Sequence, residues 1–253
     1  MKKELLFAFA AFFFMSLSAI TGVYAGEREQ KAVTVSKDKV DVTGDNKADT
    51  VYIKGVYYED GASFLKEISL EIKASDGNTY KAELAGGYEP QIQFEDLNHD
   101  SIKDMFISIP TGGSGGLSNF YLYTLKDFTL TDLSVPDPLV INSQFENGYK
   151  ANISIQDTKQ SYTFDLRDRS EEYERLGLYV NGKLSEPTEL MVNPYSTLKI
   201  IPVEGQNGLM GVQRISGAYN ADTIVFVESF WLYEEGKWML KDTKVMKMNS
   251  RKR

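Results

Sequence analysis

From residue 32 onward the chain alternates apolar and polar side chains in short runs rich in Val, Ile, Tyr, Phe and Thr. A period of two marks strands that bury one face on a core. Strands are predicted over 32–36, 50–58, 68–74, 80–84, 91–94, 105–109 and 120–125, and again over 149–155, 162–166, 198–203, 209–215, 223–233 and 237–245. Turn signals separate them: Asp76-Gly77-Asn78, Glu146-Asn147-Gly148, Asn181-Gly182, Gln206-Asn207-Gly208 and Glu234-Glu235-Gly236. Helical character is confined to 169–176, a turn or two. The pattern predicts an all-β protein. Pro136 and Pro138 mark the best internal boundary, because proline lacks the N–H that a central strand needs.

The amino-terminal residues depart from this pattern. Lys2, Lys3 and Glu4 precede an unbroken apolar run over 5–15, and Val23-Tyr24-Ala25 has the small-x-small form of a cleavage site. This predicts a secretory signal peptide over 1–25 and an extracytoplasmic location, released or in the cell envelope. The run is shorter than the ~18–20 residues of a spanning helix, so no transmembrane segment is expected after cleavage. The mature chain would begin at Gly26 and keep 228 residues with net charge −9, against −8 for the full 253. That length suits one or two domains. An acidic chain lacks the phosphate-neutralising surface of a nucleic-acid binder. With no cysteine and one histidine, disulfides, thiol nucleophiles, an anchor cysteine and multi-histidine metal centres are excluded.

Two acidic stretches carry the most informative chemistry. Residues 41–49 and 96–104 share the pattern Asp-x-(Thr/Asn)-x-Asp-x-x-x-Asp, and a β-rich run follows each. Oxygen ligands at positions 1, 3 and 5, a carbonyl at position 7 and a carboxylate at position 9 can supply the six to eight oxygens that calcium takes. Magnesium fits such a flexible all-protein cage less well. Helix-loop-helix calcium hands are excluded: position 6 is Asn46 or Ser101 rather than glycine, position 12 is Tyr52 or Ile107 rather than glutamate, and the flanks are strands.

The spacing resembles the calcium loops of FG-GAP and VCBS repeats, found in integrin-like β-propellers and many secreted bacterial proteins. The resemblance implies one ion on Asp41, Thr43, Asp45 and Asp49 with the Lys47 carbonyl. It implies a second on Asp96, Asn98, Asp100 and Asp104 with the Ile102 carbonyl. Thr43 is the weaker choice at position 3, so the second loop is expected to bind more tightly. The offset of 55 residues between the loops is close to one blade, yet no third acidic loop follows Pro138. Two propeller-blade-like units over 26–135, joined to a further antiparallel β half over 136–253, are therefore expected.

Catalytic constellations are sparse. Gly112-Gly113-Ser114-Gly115-Gly116 contains Gly-x-Ser-x-Gly, but a nucleophile elbow needs a following helix, and 117–125 reads as strand. The only histidine, His99, sits in the second acidic loop at a position expected to face solvent. Trp231, Tyr233 and Trp238 flank a turn, where packing across a hairpin is the expected role. The basic tail, with Lys244, Lys247, Arg251, Lys252 and Arg253, reads as solvated. The expectation is a calcium-stabilised, non-catalytic binding or structural module whose partner is a protein or carbohydrate of the cell surface. A secreted hydrolase acting on glycans through carboxylates is the alternative.

Overall fold

In the computed structural model, which describes residues 31–247, strands form where the alternation places them. The leader at 1–25 and the tail residues Arg251, Lys252 and Arg253 lie outside the described residues. In β2 (Asp49–Tyr57), Val51 and Ile53 are fully buried while Thr50, Tyr52 and Lys54 face outward. This strand pairs antiparallel with β1 (Val33–Val40) and β3 (Phe64–Lys73). With β4 (Thr79–Leu84) they form a meander in chain order, and the two-residue β5 (Gly87–Tyr88) adds to β3. The same plan recurs in β6 (Gln91–Glu95), β7 (Asp104–Pro110), β8 (Ser118–Thr124) and β9 (Thr131–Asp132). Each acidic stretch is the first connection of its meander.

The second meander is the central layer of the molecule. Met105, Ile107, Ile109, Tyr123 and Leu125 join Val51, Ile53, Leu70 and Ile72 of the first meander in one core. Phe106 and Leu122, on the opposite face of the same strands, join a larger core with the carboxy-terminal half. Both faces of β7 and β8 are thus buried, which is why these strands read as nearly continuous apolar runs.

That half contains a three-stranded sheet, β10 (Ile141–Glu146), β11 (Lys150–Ile155) and β12 (Gln160–Asp165). A short helix α1 (Ser170–Arg175) and a hairpin, β13 (Tyr179–Val180) with β14 (Lys183–Leu184), follow. Asn181 and Gly182 take φ of 51° and 75° in that turn, as a two-residue hairpin requires. A long meander closes the chain: β15 (Met191–Val203), β16 (Gln206–Ser216), β17 (Thr223–Glu234) and β18 (Lys237–Lys247).

The fold is all-β apart from α1 and short 3-10 turns among the described residues. The short strands β5, β9, β13 and β14 form where none is expected, and two longer strands also differ from expectation. β10 is read as coil from sequence because Ser143 interrupts its inward-facing Ile141 and Phe145. β15 begins at Met191 rather than 198: Pro194 lies within a register shift between Val192 and Tyr195, and such bulges let a strand pass a proline. Residues 133–140 form no strand, but the connector is held down. Tyr195 donates to the Asp137 carbonyl at 3.0 Å, Trp238 to the Ser134 carbonyl at 3.1 Å, and the Gln213 amide exchanges bonds with the Leu139 main chain.

Candidate metal centre

The two acidic loops share their hydrogen bonds as well as their spacing. The position 2 N–H donates to the position 9 carboxylate at 2.9 Å in both, Val42 to Asp49 and Leu97 to Asp104. Position 6 donates to position 1, Asn46 to Asp41 at 2.8 Å and Ser101 to Asp96 at 2.9 Å. Position 7 donates to position 5, Lys47 to Asp45 at 2.9 Å and Ile102 to Asp100 at 3.0 Å. Positions 4 and 6 are left-handed in each loop, with φ of 81° and 63° at Gly44 and Asn46 and of 61° and 70° at His99 and Ser101. Val42 and Leu97 are fully buried and anchor the loops to the core. Asp49 and Asp104, the first residues of β2 and β7, are 0% exposed.

The loops differ in how their carboxylates are satisfied. In the first, Asp49 accepts from Val42 N–H and the Thr43 hydroxyl on one oxygen and from Ser75 N–H at 2.9 Å on the other. The Ser75 hydroxyl donates to Asp45 and holds that carboxyl below its usual pKa. Asp41 accepts from the N–H groups of Thr43, Gly44 and Asn46. In the second loop, Oδ2 of Asp104 accepts from Leu97 and Asn98 N–H at 2.9 and 3.1 Å, while Oδ1 is buried with no hydrogen-bond partner. Burial, opposed by these bonds and by the neighbouring Thr124 hydroxyl, itself buried and outside hydrogen-bond geometry, pushes the Asp104 carboxyl up to about 6. Asp96 accepts from Asp100 and Ser101 N–H, and Asp100 accepts from the Asn98 amide at 3.2 Å. The Lys126 ammonium lies 3.2 Å from the same Asp100 oxygen.

Ser75 and Lys126 are structurally equivalent, each two residues beyond the third strand of its meander. Sequence reasoning passed over both, because neither lies in an acidic stretch. The usable signal was the repeat itself, extended past the loop to the end of the third strand. Asn207 was also missed; it lies in β16, because the β15–β16 turn falls at Glu204-Gly205 rather than at 206–208 as expected, and its carbonyl is 2.9 Å from His99 Nε2 while its amide reaches the Asp96 carbonyl at 3.4 Å. His99 is exposed but tied to the carboxy-terminal half.

The fold brings the four side chains expected at each loop into one hydrogen-bonded cluster. It also sets the two clusters side by side: a Cβ on Gly44 would lie 2.8 Å from Ile102 Cδ1. Lys47 is exposed, with its ammonium 3.5 Å from Asp45. As the side chains stand, the carboxylates turn to main-chain N–H groups, and among the described residues no three carboxylate or imidazole groups converge as a metal-holding set. The donor chemistry nonetheless fits a hard cation. Each loop offers carboxylate and neutral oxygens only, and the second retains a buried, unpartnered carboxylate oxygen in Asp104.

Elsewhere, the glycine-rich segment 111–117 links β7 to strand β8, so strand-turn-strand stands where an elbow would need a helix. Arg214 donates to the carbonyls of Ser114 and Gly115 at 3.1 Å, pinning that loop. Tyr233 and Trp238 face each other across β17 and β18 with ring centroids 5.2 Å apart, and Trp231 is buried. A groove of about 610 Å³ carries Glu146, Glu186 and Glu189, but the one aromatic residue lining it, Phe145, is buried in the core.

Residues 139–246, beginning directly after Pro138, match the family described as the YybI C-terminal domain. The chain is also 30% identical over 220 residues to the uncharacterized protein YybI of Bacillus subtilis (strain 168), an alignment covering 83% of this chain and 82% of that protein.

Proposed function

This chain belongs to the YybI family, and from that premise we propose that it is an exported, calcium-stabilised β-protein with a non-catalytic binding or structural role in the cell envelope. The observation that carries the reading is Asp104, whose Oδ1 is buried and unpartnered inside a loop built like its neighbour. A buried carboxylate without a partner is costly. A cation at the second loop offsets that cost. Asp96, Asn98, Asp100 and Asp104 would hold it, with the Ile102 carbonyl; Asp41, Thr43, Asp45 and Asp49, with the Lys47 carbonyl, would hold a second. Calcium supplies charge neutralisation there, and the residues of this chain supply an oxygen cage anchored by Val42 and Leu97. The repeated loop geometry also supports the likeness to FG-GAP and VCBS blades. Export rests on the leader pattern over 1–25.

The test is a pair of melting curves, in chelator and in millimolar calcium, with magnesium as the comparison. Calcium should raise the melting temperature by a few degrees and magnesium should not. No shift, or an equal shift with magnesium, would leave the loops as ordinary acidic turns. Amino-terminal sequencing of protein from the envelope or medium should begin at Gly26; an intact Met1 chain in the cytosol would remove the export half of the reading.

A further inference from the structure

The outer face of the first meander carries a charge pattern opposite to that of the chain as a whole. Three lysine ammonium groups surround one ring: Lys37, Lys54 and Lys73 lie 5.6, 5.3 and 5.6 Å from the Tyr52 centroid. The strand register explains the convergence. Lys37 on β1 is directly opposite Tyr52, Lys54 is two residues along β2, and Lys73 on β3 is opposite Thr50, whose other neighbour is Lys39. Successive strands are about 4.8 Å apart, so Lys39 and Lys73 stand about 10 Å apart in one row, with Thr50 between.

Like charges crowded on one sheet face are destabilising. A Lys–Tyr contact at an exposed site is a weak attraction, and a single ring cannot neutralise three ammonium groups. The carboxylates of this face do little to help. Glu71 is taken by Lys54 at 2.7 Å and Glu83 by Lys81 at 2.6 Å. Among the described residues, Lys37, Lys39 and Lys73 have no carboxylate within ion-pair distance. All three are exposed, in a chain of net charge −8.

We propose that this face binds a linear phosphodiester polymer, laid across β1–β3 over Lys37, Lys39 and Lys73. Charge complementarity carries the choice: exposed cations without carboxylate partners on a flat sheet face match an extended chain of single negative charges. A bilayer fits less well. The hairpin that projects from the end of this sheet presents Glu59 and Asp60 beside exposed Tyr57 and Tyr58, so an anionic membrane would meet two carboxylates first. The row adjoins the first acidic loop, since Thr50 follows Asp49 and Lys73 lies two residues before Ser75, but none of its lysines is an expected calcium ligand, and its test is run in chelator so that the two readings fail independently.

The experiment measures binding of the full chain to a defined-length poly(glycerol phosphate) by titration calorimetry at several salt concentrations. The expected result is binding at low salt that falls linearly in log–log form. Lys37→Gln with Lys73→Gln should weaken it at least tenfold and flatten the salt slope by about 1.4, at about 0.7 per contact for a single strand. Lys37→Arg with Lys73→Arg should restore it, with melting curves showing that each variant is folded. Lys183→Gln with Lys199→Gln makes the same change in net charge elsewhere and should leave binding intact. No binding in low salt, or an equal loss in that control pair, would overturn the proposal. So would tighter binding to phosphatidylglycerol vesicles than to the polymer, since the occupant would then be a membrane.

Discussion

Gly44 and Ile102 belong to different acidic loops and touch: Ile102 Cδ1 occupies the space where a Cβ on Gly44 would fall, 2.8 Å away. Gly44 also sits at φ 81°, a left-handed conformation that costs a residue with a side chain about 1–2 kcal/mol. The two loops can stack only because position 4 of the first has no side chain. His99 fills position 4 of the second, where the neighbour is instead Asn207 at the start of β16.

Gly44→Ala should therefore destabilise the protein by about 2–4 kcal/mol, the left-handed strain plus an overpacking cost. Ile102→Ala in the same chain should recover the steric part and leave the strain. Urea unfolding of the four proteins of this cycle reads the coupling, expected to exceed about 1 kcal/mol. Additive losses would mean that the loops adjust independently.

If the loops hold calcium, the second should contribute more of the thermal shift. With free calcium about tenfold above the dissociation constant, linkage gives RT ln 11, about 1.4 kcal/mol per site, or a few degrees for a chain of this size. Asp100→Asn should remove more of this shift than Asp45→Asn, because each changes position 5 of its own loop. The reverse order, read from melting curves in chelator and in calcium, would contradict the ranking.

Asp104→Asn should have opposite effects with and without the ion. In chelator, the folded carboxyl titrates near 6, above the ordinary value of 3.8. Folding therefore favours the protonated form. The Asp104 contribution to the stability of the metal-free protein should be full below about pH 4 and fall by roughly 3 kcal/mol as pH rises to about 6, at about 1.4 kcal/mol per unit. Asn has no such titration, so the variant should match or exceed the parent in chelator at pH 7 and lose most of the calcium response. A variant less stable than the parent in chelator would mean that the charge itself is needed.

Lys126 places a positive charge 3.2 Å from Asp100, where the equivalent residue of the first loop is the neutral Ser75. Lys126→Gln should therefore tighten calcium binding at the second loop by several-fold, since like charge repels the ion. Calorimetric titration of parent and variant measures it. Unchanged or weaker affinity would show that the ammonium stays clear of the site.

In the carboxy-terminal half, Asp222 accepts from Tyr173 at 2.6 Å and Ala218 N–H at 2.9 Å and is paired with Arg169, joining the α1 region to the β16–β17 turn. Asp222 is 7% exposed and Tyr173 fully buried. Asp222→Ala should cost about 3 kcal/mol, because it leaves Arg169 and a buried hydroxyl without their acceptor. Tyr173→Phe should cost about 1–2 kcal/mol. Chemical denaturation distinguishes the two, and equal small losses would place the network in solvent.

Fold class, most strands and the first-order contents of each acidic loop were decided locally. Alternation at period two selects a strand whatever the rest of the chain does, and Asp, Asn and Gly bend a nine-residue connection on their own. Hence Asp41 to Asp49 and Asp96 to Asp104 were legible as a repeat. β10 was not, because Ser143 breaks its apolar phase and only the neighbours β11 and the 186–190 segment hold it extended, with Phe145 N–H on the Thr188 carbonyl. Tertiary packing alone decided that Ser75 caps the first loop while Lys126 faces the second, that Asp104 keeps an unpartnered oxygen, and that Lys37, Lys54 and Lys73 converge on Tyr52. These residues are brought together by register between strands and by stacking of one sheet on the next. Such contacts depend on distance in space, which composition and spacing along the chain do not encode.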